Sequence, residues 1–319
     1  MKSAVVQMAS GSDKAENISA AARLSEEAIR KGAKFIVLPE VFNYRGRVIE
    51  ASDLNSIKEE IPGPSMAPLM KLAKQHKAYI LAGSIYETIH NSNKVYNASA
   101  LINPEGKIKA IYRKIHLFDA NLGQTRFRES NFFNRGTKKI IEKIAGFKIG
   151  LTICFDVRFP ELYRDYAAYG ANVFVVPAAF TKTTGQAHWE ILLRARAIEN
   201  LCYVLAPNQI GKDGRGVEAF GNSMIVSPWG EILSRASANR EEIIYADLKM
   251  SVVREKRKIL VGMNKSQNLK LKSFYSIGKY KTFLAAKNSS PMQQRSYDVL
   301  TFLKIIRGSK YCTDFLSNI

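Results

Sequence analysis

From residue 4 to residue 246 short apolar runs of strand length alternate with longer segments patterned as helices, and this alternation restricts the fold more than any other feature. Ala4–Met8 (AVVQM) reads as a strand. Asp13 and Glu16 stand at capping-box spacing before a helix that runs to about Lys31, with Ala21, Leu24, Ala28 and Ile29 at helical spacing and Gly32 as its stop. Phe35–Leu38 is a buried strand ended by Pro39, and a helix over Met66–His76 leads to a strand over Tyr79–Ile85. Val95–Ile102 and Lys107–Tyr112 flank the turn Pro104-Glu105-Gly106, and Ile140–Ile144 and Lys148–Ile153 flank Gly146, so both pairs read as hairpins. Helices over Pro160–Tyr169 and Ala187–Asn200 alternate with strands Val173–Val176 and Tyr203–Ala206, and Met224–Val226, Glu231–Leu233 and Ile243–Ala246 close the series. Hairpin connections demand mixed sheets. Two stacked mixed sheets with helices outside suit this order better than one doubly wound sheet. Neither GxGxxG after the first strand nor GxxxxGK[ST] occurs, so a nucleotide-binding fold has no support.

The 319 residues are 46% apolar, enough for a large core in one α/β domain with or without an appendage. No run of about 18 apolar residues exists, so no membrane span is expected. MKSAVVQMAS has too short an apolar run for a secretory signal, which leads us to expect a cytoplasmic protein. The net charge of +20 invites a nucleic-acid reading, but residues 251–319 hold more than half of it, with 14 Lys and Arg against 3 Asp and Glu. Those lysines are scattered among Asn, Ser and Ile rather than packed into a recognition block, so no nucleic-acid partner is expected. After about Lys258 periodicity fades, and the division expected is a domain over 1–258 and a basic appendage, partly disordered or docked on a partner, over 259–319 with a short helix at Tyr297–Ile306.

Cys154, Cys202 and Cys312 are far apart and odd in number, and His76, His90, His116 and His188 are scattered, so neither a disulfide framework nor a metal site is expected. A lone cysteine is ordinarily a small buried apolar residue. Context separates Cys154 from the others. Three apolar runs end near a reactive residue: Phe35–Leu38 precedes Glu40, Ile108–Tyr112 precedes Lys114, and Ile149–Ile153 precedes Cys154. Singly, each is an ordinary solvated or core residue. Together they form a set, because ligand sites in α/β sheets lie at strand ends. A thiol of ordinary pKa needs a base to attack an amide, and a buried Glu40 is suited to that. The charge that develops on the carbonyl oxygen needs donors, for which Lys114 and the backbone N–H of Phe155 are placed. This chemistry requires no metal and no organic cofactor.

LPEVF at 38–42, YRKIHLFD at 112–119 and GLTICFDVRFPELYR at 150–164 resemble, in order and separation, the three catalytic segments of the nitrilase superfamily, and the resemblance runs from about residue 3 to 257. It implies an αββα four-layer sandwich of two mixed sheets, commonly paired as a dimer through its helices. It also implies the catalytic set Glu40, Lys114 and Cys154, with Glu129 in Arg128-Glu129-Ser130 as the second glutamate that helps hold the lysine and substrate.

Ala179–Gly185 (AFTKTTG), Ala187-His188-Trp189-Glu190 and Arg194-Ala195-Arg196-Ala197 are similar to the branch that includes deaminated glutathione amidase and omega-amidase. By that resemblance Arg158, four residues after Cys154, binds a substrate carboxylate, and Phe180 and Thr184 occupy substrate-contact positions. A planar guanidinium pairs bidentately with a carboxylate. For His188 and Trp189 helix packing is the stronger reading. The expected activity is hydrolysis of a small carboxylate-bearing amide, deaminated glutathione or a related 2-oxo acid amide, through a thioester. The alternatives are an omega-amidase acting on 2-oxoglutaramate, an N-carbamoyl amino acid or nitrile hydrolase, and a non-catalytic interaction protein of the same fold. Two departures from the branch stand out. Gly221-Asn222-Ser223 replaces the usual Gly-His-Ser, which bears on local packing or dimer contacts, and the usual C-terminal ending is absent after Lys258.

Overall fold

The structure, a computed structural model of the chain, describes residues 1–123 and 125–261. The segment read from sequence as an appendage, its Tyr297–Ile306 helix and Cys312 lie outside the described residues, apart from 259–261. In chain order the elements are β1 (Lys2–Gln7), α1 (Lys14–Arg30), β2 (Phe35–Val37), α2 (Leu54–Ile57), α3 (Ala67–His76), β3 (Tyr79–Thr88), β4 (Val95–Ile102), β5 (Ile108–Arg113), β6 (Asp119–Leu122) and β7 (Thr125–Arg128). They continue with β8 (Ile141–Ile144), β9 (Phe147–Leu151), α4 (Pro160–Ala168), β10 (Val173–Val175), α5 (Lys182–Asn200), β11 (Tyr203–Ala206), β12 (Met224–Val226), β13 (Ile232–Arg235), β14 (Glu242–Asp247) and α6 (Met250–Ile259).

The strands form two six-stranded sheets, ordered β14-β1-β2-β3-β4-β5 and β13-β12-β11-β10-β9-β8. In each, three central strands run parallel and the flanking strands join antiparallel. The expected mixed sheets are therefore present, and the two sheets share one topological pattern. Side-chain alternation sorts the layers. Val5, Phe35 and Val37 join Ile149, Leu151, Val173 and Val204 in one core, while Ala4, Val6 and Ile36 join Ala21, Leu24 and Ala28 of α1 and Leu69 and Ala73 of α3 in another. On the far side Tyr163 and Tyr166 of α4 pack on Phe174 of β10. The result is the expected αββα sandwich. Each fully buried side chain of this size contributes about 1.5–3 kcal/mol.

Differences from the sequence reading are local and have physical causes. Helix α5 starts five residues before Ala187, because Thr181 caps it, its side chain accepting from the Thr184 N–H. The β6–β7 hairpin and α6 carry too weak a pattern to be read ahead; α6 buries only Val253. β9 ends at Leu151 rather than Ile153, since Thr152 and Ile153 lead into a left-handed turn at Cys154. Asn222 takes a left-handed φ of 52°, which asparagine tolerates, and its carbonyl accepts from Trp189 Nε1 at 2.8 Å. The substitution in Gly221-Asn222-Ser223 thus fits its own turn. Trp189 is wholly buried, as its packing role requires.

Candidate active site

Glu40, Lys114, Glu129 and Cys154 meet in the wall of one cavity of about 420 Å³. Each arrives by a different local device. Beyond β2, Leu38 and Pro39 carry the chain to Glu40, and the turn is set by a bulge in β3. Gly83 has φ +35°, and a Cβ there would lie 1.9 Å from the Pro39 carbonyl oxygen, so only glycine lets the strands approach. Next to it, Ser84 Oγ accepts from the Val41 N–H at 2.9 Å, and Gln209 Nε2 donates to the Glu40 carbonyl at 3.0 Å. Lys114 follows β5 directly, its N–H donating to the Asn97 carbonyl at 2.9 Å. Glu129 follows the β6–β7 hairpin and accepts from the Phe118 N–H. Cys154 opens a 3₁₀ turn with φ 45°, which costs a non-glycine residue about 1–2 kcal/mol, and its N–H donates to the Pro177 carbonyl at 2.8 Å. A sharp turn at that point aims the thiol out of the sheet. Phe155 occupies the open start of the same turn.

The polar contacts are dense. Lys114 Nζ donates to Glu40 Oε1 at 2.9 Å and to both Glu129 carboxylate oxygens at 2.9 Å. Glu40 Oε1 also accepts from Asn97 Nδ2 at 2.9 Å, and Oε2 from the Ala179 N–H at 2.9 Å. Asn97 reaches Glu129 as well, at 3.4 Å. Lys114 is 2% exposed and Glu40 4%, so two carboxylates and one ammonium share a dry site with a net charge of −1. Burial pushes the Lys114 pKa down, but Glu129 and Glu40 outweigh it and hold the ammonium well above its usual range. Burial raises the Glu129 pKa, against the opposing pull of Lys114 and with Glu40 adding to the rise. Burial first and the Glu40 charge second push the Cys154 thiol well above its usual range, Lys114 opposing; the thiol donates to Glu40.

None of the residues expected to contact substrate, Arg158, Phe180, Thr184 and Phe155, is among the cavity-lining residues, although their neighbours Thr181 and Ala179 are. Arg158 is half-buried, with Nη1 and Nη2 each 3.3 Å from His188 Nδ1 and the guanidinium 5.2 Å from the Phe180 ring centre and 5.7 Å from that of Phe155. Thr184 is buried against Thr181, the two hydroxyls 2.9 Å apart. Among the described residues no cluster of His, Cys, Asp and Glu is arranged to hold a metal ion.

Three supporting residues were not anticipated. Asn97 interrupts the apolar run VYNASALI of β4, and a polar residue buried at 1% in such a run is the one advance sign of its role. Gln209 carries no such sign. Asp156, wholly buried, accepts from Tyr112 Oη at 2.7 Å, from the His116 N–H at 3.0 Å and from the Ile153 N–H at 2.9 Å, and lies 2.7 Å from His116 Nδ1. It thereby ties the segment on both sides of Lys114 to the turn that presents Cys154.

Known proteins resemble this chain over most of its length. The carbon-nitrogen hydrolase family model matches residues 2–258. A human protein named omega-amidase NIT2 is 38% identical over 255 residues, covering 80% of this chain and 90% of its own length. A Drosophila melanogaster nitrilase and fragile histidine triad fusion protein is 35% identical over 316 residues, 98% of this chain, which spans 66% of the fusion protein. The crystal structure of the C. elegans NitFhit protein superposes with a TM-score of 0.74 at 35% identity, covering 81% of this chain and 63% of that one. Saccharomyces cerevisiae Nit3, described as a member of branch 10 of the nitrilase superfamily, superposes with a TM-score of 0.73 at 33% identity over 82% of this chain and 94% of its own. The chain belongs to the carbon-nitrogen hydrolase family of the nitrilase superfamily.

Proposed function

We propose that the chain is an amidase acting on a small carboxylate-bearing amide, deaminated glutathione or a related 2-oxo acid amide, through a thioester on Cys154. The observation that carries this reading is the buried Glu40–Lys114–Glu129 cluster beside the Cys154 thiol. A thiol held protonated by burial is a poor nucleophile until a base takes its proton at the moment of attack. Glu40, fixed by Lys114, Asn97 and the Ala179 N–H, is that base. Cys154 Sγ bonds to the amide carbon, and the oxyanion is met by Lys114 Nζ and the Phe155 N–H, on the order of a few kcal/mol per donor. The C–N bond breaks as Glu40 returns the proton to nitrogen, leaving the thioester and a free amine or ammonia. Water then gives its proton to Glu40 and attacks the thioester. The C–S bond breaks, the acid leaves and the thiol is restored. Glu129 keeps Lys114 charged and in position throughout.

By the resemblance to the amidase branch, Arg158 is the group assigned to the substrate carboxylate, with Phe180, whose ring it lies against, and Thr184 assigned to substrate contact. The reading extends to a cytoplasmic homodimer paired through helices. Ile191 and Ile198 of α5 are 69% and 45% exposed, and Trp229, next in chain to the Gly230 that packs on Ile198, is 42% exposed. Among the described residues no helix is long and apolar enough to cross a membrane. Turnover of a panel of carboxylated amides, neutral amides, N-carbamoyl amino acids and nitriles tests the function. Carboxylated amides are expected to give the highest kcat/KM, and their rejection in favour of any other class refutes it. Sedimentation of the same sample tests the dimer.

A further inference from the structure

Of the arginines in the cavity wall Arg45 alone is buried, and it makes no ion pair with an acid. The cavity is lined by four carboxylates, Glu40, Glu129, Asp213 and Glu218, and every one is engaged. Glu40 and Glu129 hold Lys114, Asp213 pairs with Arg215 at 2.9 Å, and Glu218 pairs with Lys182 at 3.0 Å. Arg45, five residues after Glu40, is only 6% exposed. A guanidinium has five N–H donors. Among the described residues the Arg45 side chain meets a single acceptor, the Ile210 carbonyl at 2.8 Å from Nη1, and no carboxylate at ion-pair distance. An arginine stays charged even when burial lowers its pKa, as it does here. Asp213 and Glu40 act on this charge from beyond ion-pair distance, but the remaining N–H donors of the buried guanidinium meet no acceptor among the described residues, and unmet buried donors are costly.

The position is built rather than accidental. The Arg45 N–H donates to the Gly11 carbonyl at 2.8 Å, and the Arg45 carbonyl accepts from the Gly214 N–H at 2.8 Å. Gly214 itself is pressed so close to the chain that a Cβ would lie 2.2 Å from the Arg47 nitrogen. Its backbone is pinned on two sides and one Nη1 hydrogen is fixed, and Arg45 lines the cavity that also holds Cys154. Arg158 occupies another part of the site, against His188 and the Phe155 and Phe180 rings.

We propose that Arg45 is the receptor for a second carboxylate of the substrate, so that the preferred substrate is an amide bearing an anionic group at each end. This rests on the amidase reading above and narrows it. An amide with one carboxylate satisfies Arg158 and leaves Arg45 unpaired. One with two satisfies both, and the bidentate fork of an arginine suits a terminal carboxylate. The second cation also offsets the net −1 of the Glu40–Lys114–Glu129 cluster, which otherwise repels a dianion.

The test compares N-succinylglycine, an amide with a carboxylate at each end, with succinamate, which has one. Binding is measured by calorimetry on Cys154→Ala protein, and turnover on protein with Cys154 intact. Arg45→Met is expected to weaken N-succinylglycine at least tenfold more than it weakens succinamate, in Kd and in KM. Arg45→Lys keeps the charge and a donor for the Ile210 carbonyl while losing the fork, and gives an intermediate loss. It carries the test if the methionine variant fails to fold. Arg158→Lys weakens both ligands. Equal weakening of both by the Arg45 variants, or no preference for N-succinylglycine when Arg45 is intact, overturns the proposal. Turnover of neutral amides alone would instead refute the amidase reading for carboxylated substrates, while the binding ratio on Cys154→Ala protein still judges Arg45.

Discussion

Glu129 grips Lys114 with both carboxylate oxygens, each 2.9 Å from Nζ, while Glu40 takes the remaining direction at 2.9 Å. The two oxygens of Glu129 can share one N–H, so the two acids restrain the ammonium with two donors and a third is left for the oxyanion. Glu129→Gln keeps the shape, removes one of the two anions that hold the Lys114 pKa up, and leaves Lys114 with a weaker tether. The expected result is at least a tenfold loss of kcat on a carboxylated amide with little change in melting temperature. Unchanged kcat would mean that Glu40 alone positions the lysine.

Glu40→Gln tests the base. The amide retains the size of the carboxylate but cannot accept a proton, and its NH₂ must face either Lys114 or the Ala179 N–H. The rate is expected to fall at least about a hundredfold, the scale of a general base. A loss under tenfold assigns the proton transfer to another group.

Cys154 is expected to be a thiol, not a thiolate, in the resting protein. Burial and the Glu40 charge both raise its pKa, and only Lys114 opposes them, so the neutral form persists above the ordinary thiol pKa of about 8.5. The ultraviolet thiolate absorbance of the wild type minus that of Cys154→Ala is expected to be flat from about pH 6 to pH 8.5. A titration step in that range would show a preformed thiolate and remove the need for Glu40 as base. Cys154→Ala itself is expected to abolish turnover with the fold intact. Iodoacetamide should label Cys154, 8% exposed, ahead of the fully buried Cys202.

Asp156 joins the two segments that carry Lys114 and Cys154. Asp156→Asn retains the volume, but it weakens the bonds from Tyr112, His116 and Ile153, which are charge-assisted. A destabilisation of about 2–4 kcal/mol is expected, together with a fall in kcat larger than any rise in KM. A stability loss with unchanged kcat, both read on the same preparation, would show that Asp156 supports the fold without positioning the site.

Gly83→Ala addresses the turn that delivers Glu40. The new methyl would press on the Pro39 carbonyl oxygen at 1.9 Å, and φ +35° already disfavours a side chain. Overpacking and backbone strain together are expected to cost at least about 2 kcal/mol, and activity should fall through displacement of Glu40. A variant with wild-type melting temperature and rate would show that the Pro39 turn moves aside freely.

The sequence by itself determined a good deal of this protein. The alternation of apolar runs with helical patterns fixed the order of nearly every strand and helix, because a period of two or of 3.6 is a local property written residue by residue. Glu40, Lys114 and Cys154 were legible for the same reason, since each lies within a few residues of the end of an apolar run. The places where the pattern failed are short or capped by residues that break it. Gly185 in the first turn of α5 hid its start, and the β6–β7 hairpin is too polar to show a face.

Only the tertiary structure decided which charges face one another. Asn97, Gln209 and Ala179 reach Glu40 across 57, 169 and 139 residues of chain, and no local pattern encodes such contacts. The same holds for Arg45. In the sequence it is one basic residue among 48, and it becomes singular only when folding buries it, pins its backbone between Gly11 and Gly214, and assigns every nearby carboxylate to another cation. Charge partnership is a property of distance in space, through a medium whose screening depends on burial, and both are set by packing rather than by order along the chain.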